Sequence, residues 1–143
     1  MRIRKDQLQE FAEKLVAHLK PGDVVGLSGE LGAGKTTLSQ HIARALGIRV
    51  WIPSPTFTIM NSYRLSTNQR FRRLIHIDAY RLTEDAVVST GILEELDSSD
   101  GLILIEWPER IQRSLPERMI RIQMSITGVK ERKITISPNI LTK

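Results

Sequence analysis

Eight consecutive residues, Gly29-Glu30-Leu31-Gly32-Ala33-Gly34-Lys35-Thr36, carry the strongest chemical signal in the chain. A glycine, four further residues, then glycine, lysine and threonine is the pattern of a loop that wraps phosphate oxygens. A triphosphate needs many N–H donors at close range, and side chains at Gly29, Gly32 or Gly34 would hold the backbone away from it. Lys35 is placed to bridge the β- and γ-phosphates and Thr36 to give its hydroxyl to magnesium, which points to ATP with Mg2+. Leu31, Ala33 and Thr37 complete the set expected against the nucleotide.

Carboxylates would have to complete such a magnesium site. Glu106 ends the apolar run 102–105 in GLILIEWPER, where a second strand delivers an acid beside the metal. Most such motifs use aspartate; the longer glutamate would hold the ion through water or orient water, or it is a surface acid at a strand end. Asp78, in HIDAYR, would hold a metal-bound water or accept a proton from the attacking water, unless it is a cap or turn residue. His76 alternates with Asp78 along the same strand, and a lone histidine is more often a hydrogen-bonded structural group than a base. Thr56, in Ser54-Pro55-Thr56-Phe57, stands where many nucleotide hydrolases sense the γ-phosphate; alternatively Pro55 simply shapes a strand entry. Trp107 either packs over the loop or caps the core.

These residues need elements to position them. Leu8, Phe11, Ala12, Leu15, Val16 and Leu19 form a helical stripe over 6–19, with Asp6 as its cap, and Lys20-Pro21-Gly22-Asp23 ends it. The run 24–28 reads as a buried strand that feeds the glycine loop. A helix follows over 35–46, with Leu38, Ile42, Ala45 and Leu46 inward and Gly47 as its stop. Strand, glycine loop and helix are the context that the phosphate reading requires, and the helix adds its positive end. Stretches 56–65 and 71–77 read as an antiparallel hairpin joined by 66–69, a helix is expected over 83–96, and 102–105 as a strand buried on both faces. Ile120, Ile122, Met124 and Ile126 alternate with polar residues, Thr127-Gly128 reads as a turn, and a last strand is expected near 133–136. The expectation is a three-layer α/β fold, with a mainly parallel central sheet and antiparallel additions from the hairpin and tail.

A length of 143 residues suits one domain over 1–143. With 21 Lys and Arg against 16 Asp and Glu, the net charge is +5, which would help an approach to RNA or an acidic surface. The cations are spread over Arg70, Arg72 and Arg73, then Arg110, Arg113, Arg118 and Arg121, then Lys130, Arg132 and Lys133, so plain solvated faces are the simpler reading. Aromatic residues make up only 5%, which argues against a base-stacking platform. With no cysteine, any metal must sit on oxygen or imidazole. No apolar run approaches the roughly 18 residues of a membrane span, and no targeting segment is visible, so a cytoplasmic protein is expected. A GTPase would carry an Asn-Lys-x-Asp reader, which is missing, and a small-molecule kinase an acceptor pocket and an arginine-bearing lid, which are not evident. A non-hydrolytic ATP sensor that gates partner binding stands as the alternative to an ATPase.

GELGAGKTT, SPTF, HIDAYR and IEWPER, in that order and at these spacings, make the chain resemble the TsaE family, formerly YjeE, over nearly its whole length. The glycine loop is generic, whereas HIDAYR and IEWPER together are specific to the family; 65–73 and 87–100 match only loosely. The resemblance implies an Mg-dependent ATPase of the P-loop NTPase fold that supports threonylcarbamoylation of adenosine 37 in tRNA. Lys35 and Thr36 would serve ATP and magnesium, Thr56 would belong to a switch-like loop, and Asp78 would be catalytic. Glu106 and Trp107 would form the modified second motif. It also implies a TsaB–TsaD heterodimer as partner, with tRNA contacted indirectly or weakly, no membrane contact, and a monomer alone. No arginine finger or catalytic glutamine is evident, so hydrolysis is expected to be slow alone and faster with partners.

Overall fold

Two apolar runs, 24–27 and 101–105, lie side by side at the centre of the molecule, within strand β2 (Val24–Gly29) and strand β5 (Gly101–Glu106). They are parallel, with Val25 opposite Leu104 and Leu27 opposite Glu106. Such runs suit strands covered on both faces, and all six residues of β5 are buried. The computed structural model describes every residue except Thr56, Gln69, Ser98, Ser99 and Lys143. The expectation for Thr56 therefore lies outside the described residues.

Around this pair are β4 (Arg73–Asp78), parallel to β5, and β6 (Ile120–Gly128), parallel to β2. Antiparallel strands extend the sheet at both sides: β3 (Met60–Arg64) on β4, β7 (Glu131–Ser137) on β6, and β1 (Arg2–Arg4) on β7. The order is β1-β7-β6-β2-β5-β4-β3. Helices α1 (Leu8–His18) and α2 (Lys35–Ala45) cover one face, where Leu15, Leu38 and Ile42 meet Leu27, Leu104 and Ile122. On the other face Ile75, Ile77, Ile103 and Ile105 meet Val87, Ile92 and Ile111, from 3-10 turns at Asp85–Ser89 and Pro108–Ser114 and from helix α3 (Ile92–Leu96). This is the three-layer α/β P-loop arrangement. Alternation along β4 and β5 puts His76, Asp78 and Glu106 on the α2 face, at the ends of neighbouring strands, with Asp78 opposite Glu106.

Several boundaries differ from the sequence expectation, each for a local reason. The helix expected over 83–96 is two short pieces. The Thr90 hydroxyl donates to the Val87 carbonyl at 2.6 Å and accepts from the Ile92 amide at 3.2 Å, and Gly91 takes a left-handed φ of 84°, so the helix restarts there. Asp6 does not cap α1: its carboxylate accepts from the Arg4 guanidinium at 3.2 Å, while the Gln7 side-chain oxygen takes the Arg4 amide at 2.9 Å. The hairpin strand begins at Met60, after a left-handed Ile59. The tail turn falls at Val129 and Lys130, because β6 runs on through a bulge between Ile126 and Gly128. In α2 the inward alanine is Ala43, with Ala45 only half buried.

Candidate functional site

The phosphate-pattern loop joins the end of β2 to the start of α2, and its glycines are demanded by different neighbours. At Gly29 φ is +155°, and a Cβ there would stand 2.5 Å from the Met124 carbonyl oxygen, so β6 leaves no room for a side chain. At Gly34 φ is +104°, a left-handed residue from which α2 begins, its carbonyl accepting from the Leu38 amide at 2.8 Å.

Lys35, the first residue of α2, is only 6% exposed. Its ammonium donates to the carbonyls of Gly29 at 2.5 Å and Glu30 at 3.0 Å and lies 4.0 Å from the centre of the Trp107 ring. Burial pushes its pKa below the ordinary lysine value; the carboxylates of Glu106, Glu109, Asp78 and Glu30 oppose that shift without cancelling it. A phosphate at this ammonium would compensate the desolvated charge.

Glu106 is 2% exposed and is held by Thr36 and His76, with Ser39 nearby. The Thr36 hydroxyl reaches Oε1 at 2.7 Å and Nε2 of His76 lies 2.5 Å from Oε2, while the Ser39 hydroxyl, 3.4 Å from Oε2, has its nearer acceptor in the Lys35 carbonyl at 3.0 Å. His76 is fully buried, and its Nδ1 meets no hydrogen-bonding partner among the described residues. The ring proton therefore belongs on Nε2, facing the carboxylate, because the other tautomer would bury a donor unpaired and set a lone pair against Oε2. Asp78 is fixed alongside, its two oxygens accepting from the Ser54 hydroxyl at 3.1 Å and the Tyr80 amide at 3.0 Å.

These groups converge on one cavity of about 480 Å³, lined by Leu31, Gly32, Gly34, Lys35, Thr36, Thr37, Ser54, Asp78, Tyr80, Glu106 and Trp107. Its rim is aromatic: Tyr80 and Trp107 pack with centroids 5.0 Å apart, and Arg110 lies 5.2 Å from the Tyr80 ring. Trp107 has a left-handed φ of 60°, an unfavourable conformation for a bulky residue that turns the chain sharply after Glu106. Of the loop residues expected against a nucleotide, Gly29 and Ala33 do not line this cavity: the Gly29 carbonyl holds Lys35, and Ala33 faces a second hollow of about 260 Å³ behind the loop. Ser39 escaped the sequence reading, and Ser54 and Tyr80 stood inside SPTF and HIDAYR without a role of their own. A serine four residues after Lys35 on the helix is the signal that would have found Ser39, since it falls on the same face as Lys35.

The oxygen pair of Thr36 and Glu106, deep and adjacent to Lys35, fits a magnesium ion, which takes one or two carboxylate or hydroxyl oxygens and fills its shell with water and phosphate. No group of three or more His, Asp or Glu side chains suited to an all-protein metal cage occurs among the described residues. No helix among them is long and apolar enough to cross a membrane.

Comparison with known proteins gives the same outline. The family model described as threonylcarbamoyl adenosine biosynthesis protein TsaE matches residues 3–134. The tRNA threonylcarbamoyladenosine biosynthesis protein TsaE of Bacillus subtilis is 38% identical, the match covering 94% of this chain and 82% of that protein. The protein of the same name from Streptomyces coelicolor is 32% identical over 94% of this chain and 99% of its own. The crystal structure of Bacillus subtilis YdiB superposes with a TM-score of 0.74 at 34% identity, covering 95% of this chain and 82% of that one. A cavity built on GELGAGKT, HIDAYR and IEWPER, inside a fold shared along nearly the whole chain, thus places this protein in the TsaE family of tRNA threonylcarbamoyladenosine biosynthesis.

Proposed function

We propose that this protein binds ATP with magnesium in the 480 Å³ cavity and hydrolyses it in support of threonylcarbamoyl transfer to adenosine 37 of tRNA, acting with a TsaB–TsaD heterodimer in the cytoplasm. The observation that carries the reading is the convergence of Lys35, the Thr36–Glu106 oxygen pair and Asp78 beside the loop amides. Magnesium would be held by Thr36 and Glu106, and it would neutralise charge on the terminal phosphates.

Each residue has a definable task. The loop amides and Lys35 bind and orient the phosphates. His76 holds the Glu106 carboxylate still, so that it meets its ligand without reorganising. Asp78, fixed by Ser54 and the Tyr80 amide, keeps acceptor capacity towards the cavity and can orient a water or take its proton. Trp107 and Tyr80 supply an aromatic wall of the cavity.

Lys35 is the one cationic side chain among the described lining residues. A developing transition-state charge is then under-compensated in the isolated chain, which supports slow hydrolysis alone and stimulation by a partner. The test is the rate of ATP hydrolysis with TsaB, TsaD and tRNA added in turn. Stimulation by the heterodimer is expected, with little from tRNA alone; equal rates with and without the partner proteins would contradict the reading.

A further inference from the structure

We propose that Arg132, on β7, is a positioning residue for the phosphate loop, holding its outward carbonyls so that its amides face the ligand. This rests on the nucleotide reading above. Arg132 is 8% exposed, although it lies on the strand next to the sheet edge. Its guanidinium is divided between two pieces of backbone. Nε donates to the Ala33 carbonyl at 3.0 Å and Nη2 to the Gly32 carbonyl at 3.3 Å, while Nη1 donates to the carbonyls of Gly128 and Glu131, both at 2.8 Å. One arm grips the glycine loop, and the other grips the turn between β6 and β7.

Peptide planarity turns this grip into a statement about the ligand side. In a trans peptide the C=O and the following N–H point in opposite directions. With the Ala33 carbonyl held behind the loop, the amide of Gly34, which lines the main cavity, is directed the other way. The Ala33 amide is spent within the loop, on the Glu30 carbonyl at 3.0 Å, so the loop is closed by a turn on one side and by Arg132 on the other.

Charge adds to geometry. Among the described residues no carboxylate lies within ion-pair distance of Arg132, and its acceptors are four neutral carbonyls. A buried cation without a counter-ion is costly, and an apolar side chain of equal volume would fold more cheaply. A polyanion on the far side of the loop repays part of that cost. Lysine cannot reproduce the arrangement, because only the planar fork reaches both backbone segments at once.

The test uses the full chain and two probes, Mg-ADP and Mg-tripolyphosphate, with calorimetric affinity and hydrogen exchange of the amides over 29–36. Arg132→Met is expected to weaken Mg-tripolyphosphate by about tenfold or more and, with that probe bound, to speed exchange of the Gly34 amide. Arg132→Lys is expected to recover less than half of that loss on a logarithmic scale. Ile136→Ala, a buried residue of the same strand remote from the loop, controls for general loosening: it should lower the melting temperature and leave affinity within about twofold. Wild-type affinity in Arg132→Met overturns the proposal, as does equal weakening by Ile136→Ala. Should Arg132→Met not fold, Arg132→Lys carries the test, and wild-type affinity there overturns it as well. A wild-type chain silent to both probes would instead remove the nucleotide reading on which this one stands.

Discussion

Glu106 sits where two demands meet, since Thr36 and His76 both donate to one buried carboxylate. Its role separates from that of Lys35 by charge. Glu106→Gln keeps volume and one acceptor oxygen, for His76, turns the other into a donor that the Thr36 hydroxyl can accept from by rotating, and removes the negative charge; it should leave Mg-ATP binding within a few-fold and lower single-turnover hydrolysis by about 100-fold or more. Lys35→Ala should lose binding itself, because the buried ammonium is gone. If Glu106→Gln hydrolyses at the wild-type rate, Glu106 is only a structural acceptor. Much at this scale was legible in the chain: Lys35, Thr36, Asp78 and Glu106 could be picked out by type and spacing and do converge on one cavity. The roles of Ser54 and Tyr80, inside SPTF and HIDAYR, were not legible, because a hydroxyl or an amide becomes part of a site only through the carboxylate it happens to face. Nor did any pattern announce Arg132, which reads in sequence as one more cation of an edge strand.

Elements were legible where one period dominated. The stripe of α1 and the apolar runs of β2 and β5 state their burial outright, whereas the segment between Thr83 and Leu96 carries helical spacing interrupted by Thr90 and Gly91, a local chemistry that overrides period. Strand β1 was invisible because three residues give no period, and only β7 makes them a strand. Contact between α1 and α2 supplies a pH prediction. Nδ1 of His41, on α2, meets the Gln9 side-chain oxygen of α1 at 2.8 Å, and its ring packs edge-on against Trp51. Burial, aided by the Arg44 cation, lowers the His41 pKa below the ordinary 6.5. The unfolded chain therefore takes up this proton first. The contribution is fully present above that ordinary value and is lost as pH falls through the lower folded one. Urea unfolding at pH 7.5 and at about pH 5 should show a smaller acid loss in His41→Gln than in wild type; an equal loss in both would remove His41 as a cause.

For the whole molecule, the strand order places the catalytic-type side chains at the ends of central parallel strands, while the antiparallel additions guard the edges. Class could be read from the alternation of apolar runs and helical stripes; order could not, since sequence spacing does not say which strand lies beside which. The net charge of +5 likewise says little until partners are seen: Arg70 donates to the carbonyls of Val16 and Leu19, Arg73 pairs with Glu95 and Asp100, and Arg118 donates to the Gly22 carbonyl. Much of this positive charge fastens one segment of chain to another. The edge formed by β1 offers the clearest test of how the sheet is closed. Ile3 is 7% exposed, Arg2, Ile3 and Arg4 lie opposite Lys133, Arg132 and Glu131, and the Met1 amino group donates to the Ile134 carbonyl at 2.9 Å. Removing residues 1–4 would uncover the hydrophobic hollow under Ile3 and leave the backbone groups of β7 unpaired. From the burial of one isoleucine and a few exposed-edge hydrogen bonds, a loss of about 2–4 kcal/mol in urea unfolding is expected. The bare β7 edge should also pair with other copies, so light scattering should rise with concentration in the truncated protein before it does in the intact one. A truncated chain that unfolds within about 0.5 kcal/mol of the intact protein and stays monomeric would show that β7 closes the sheet without β1.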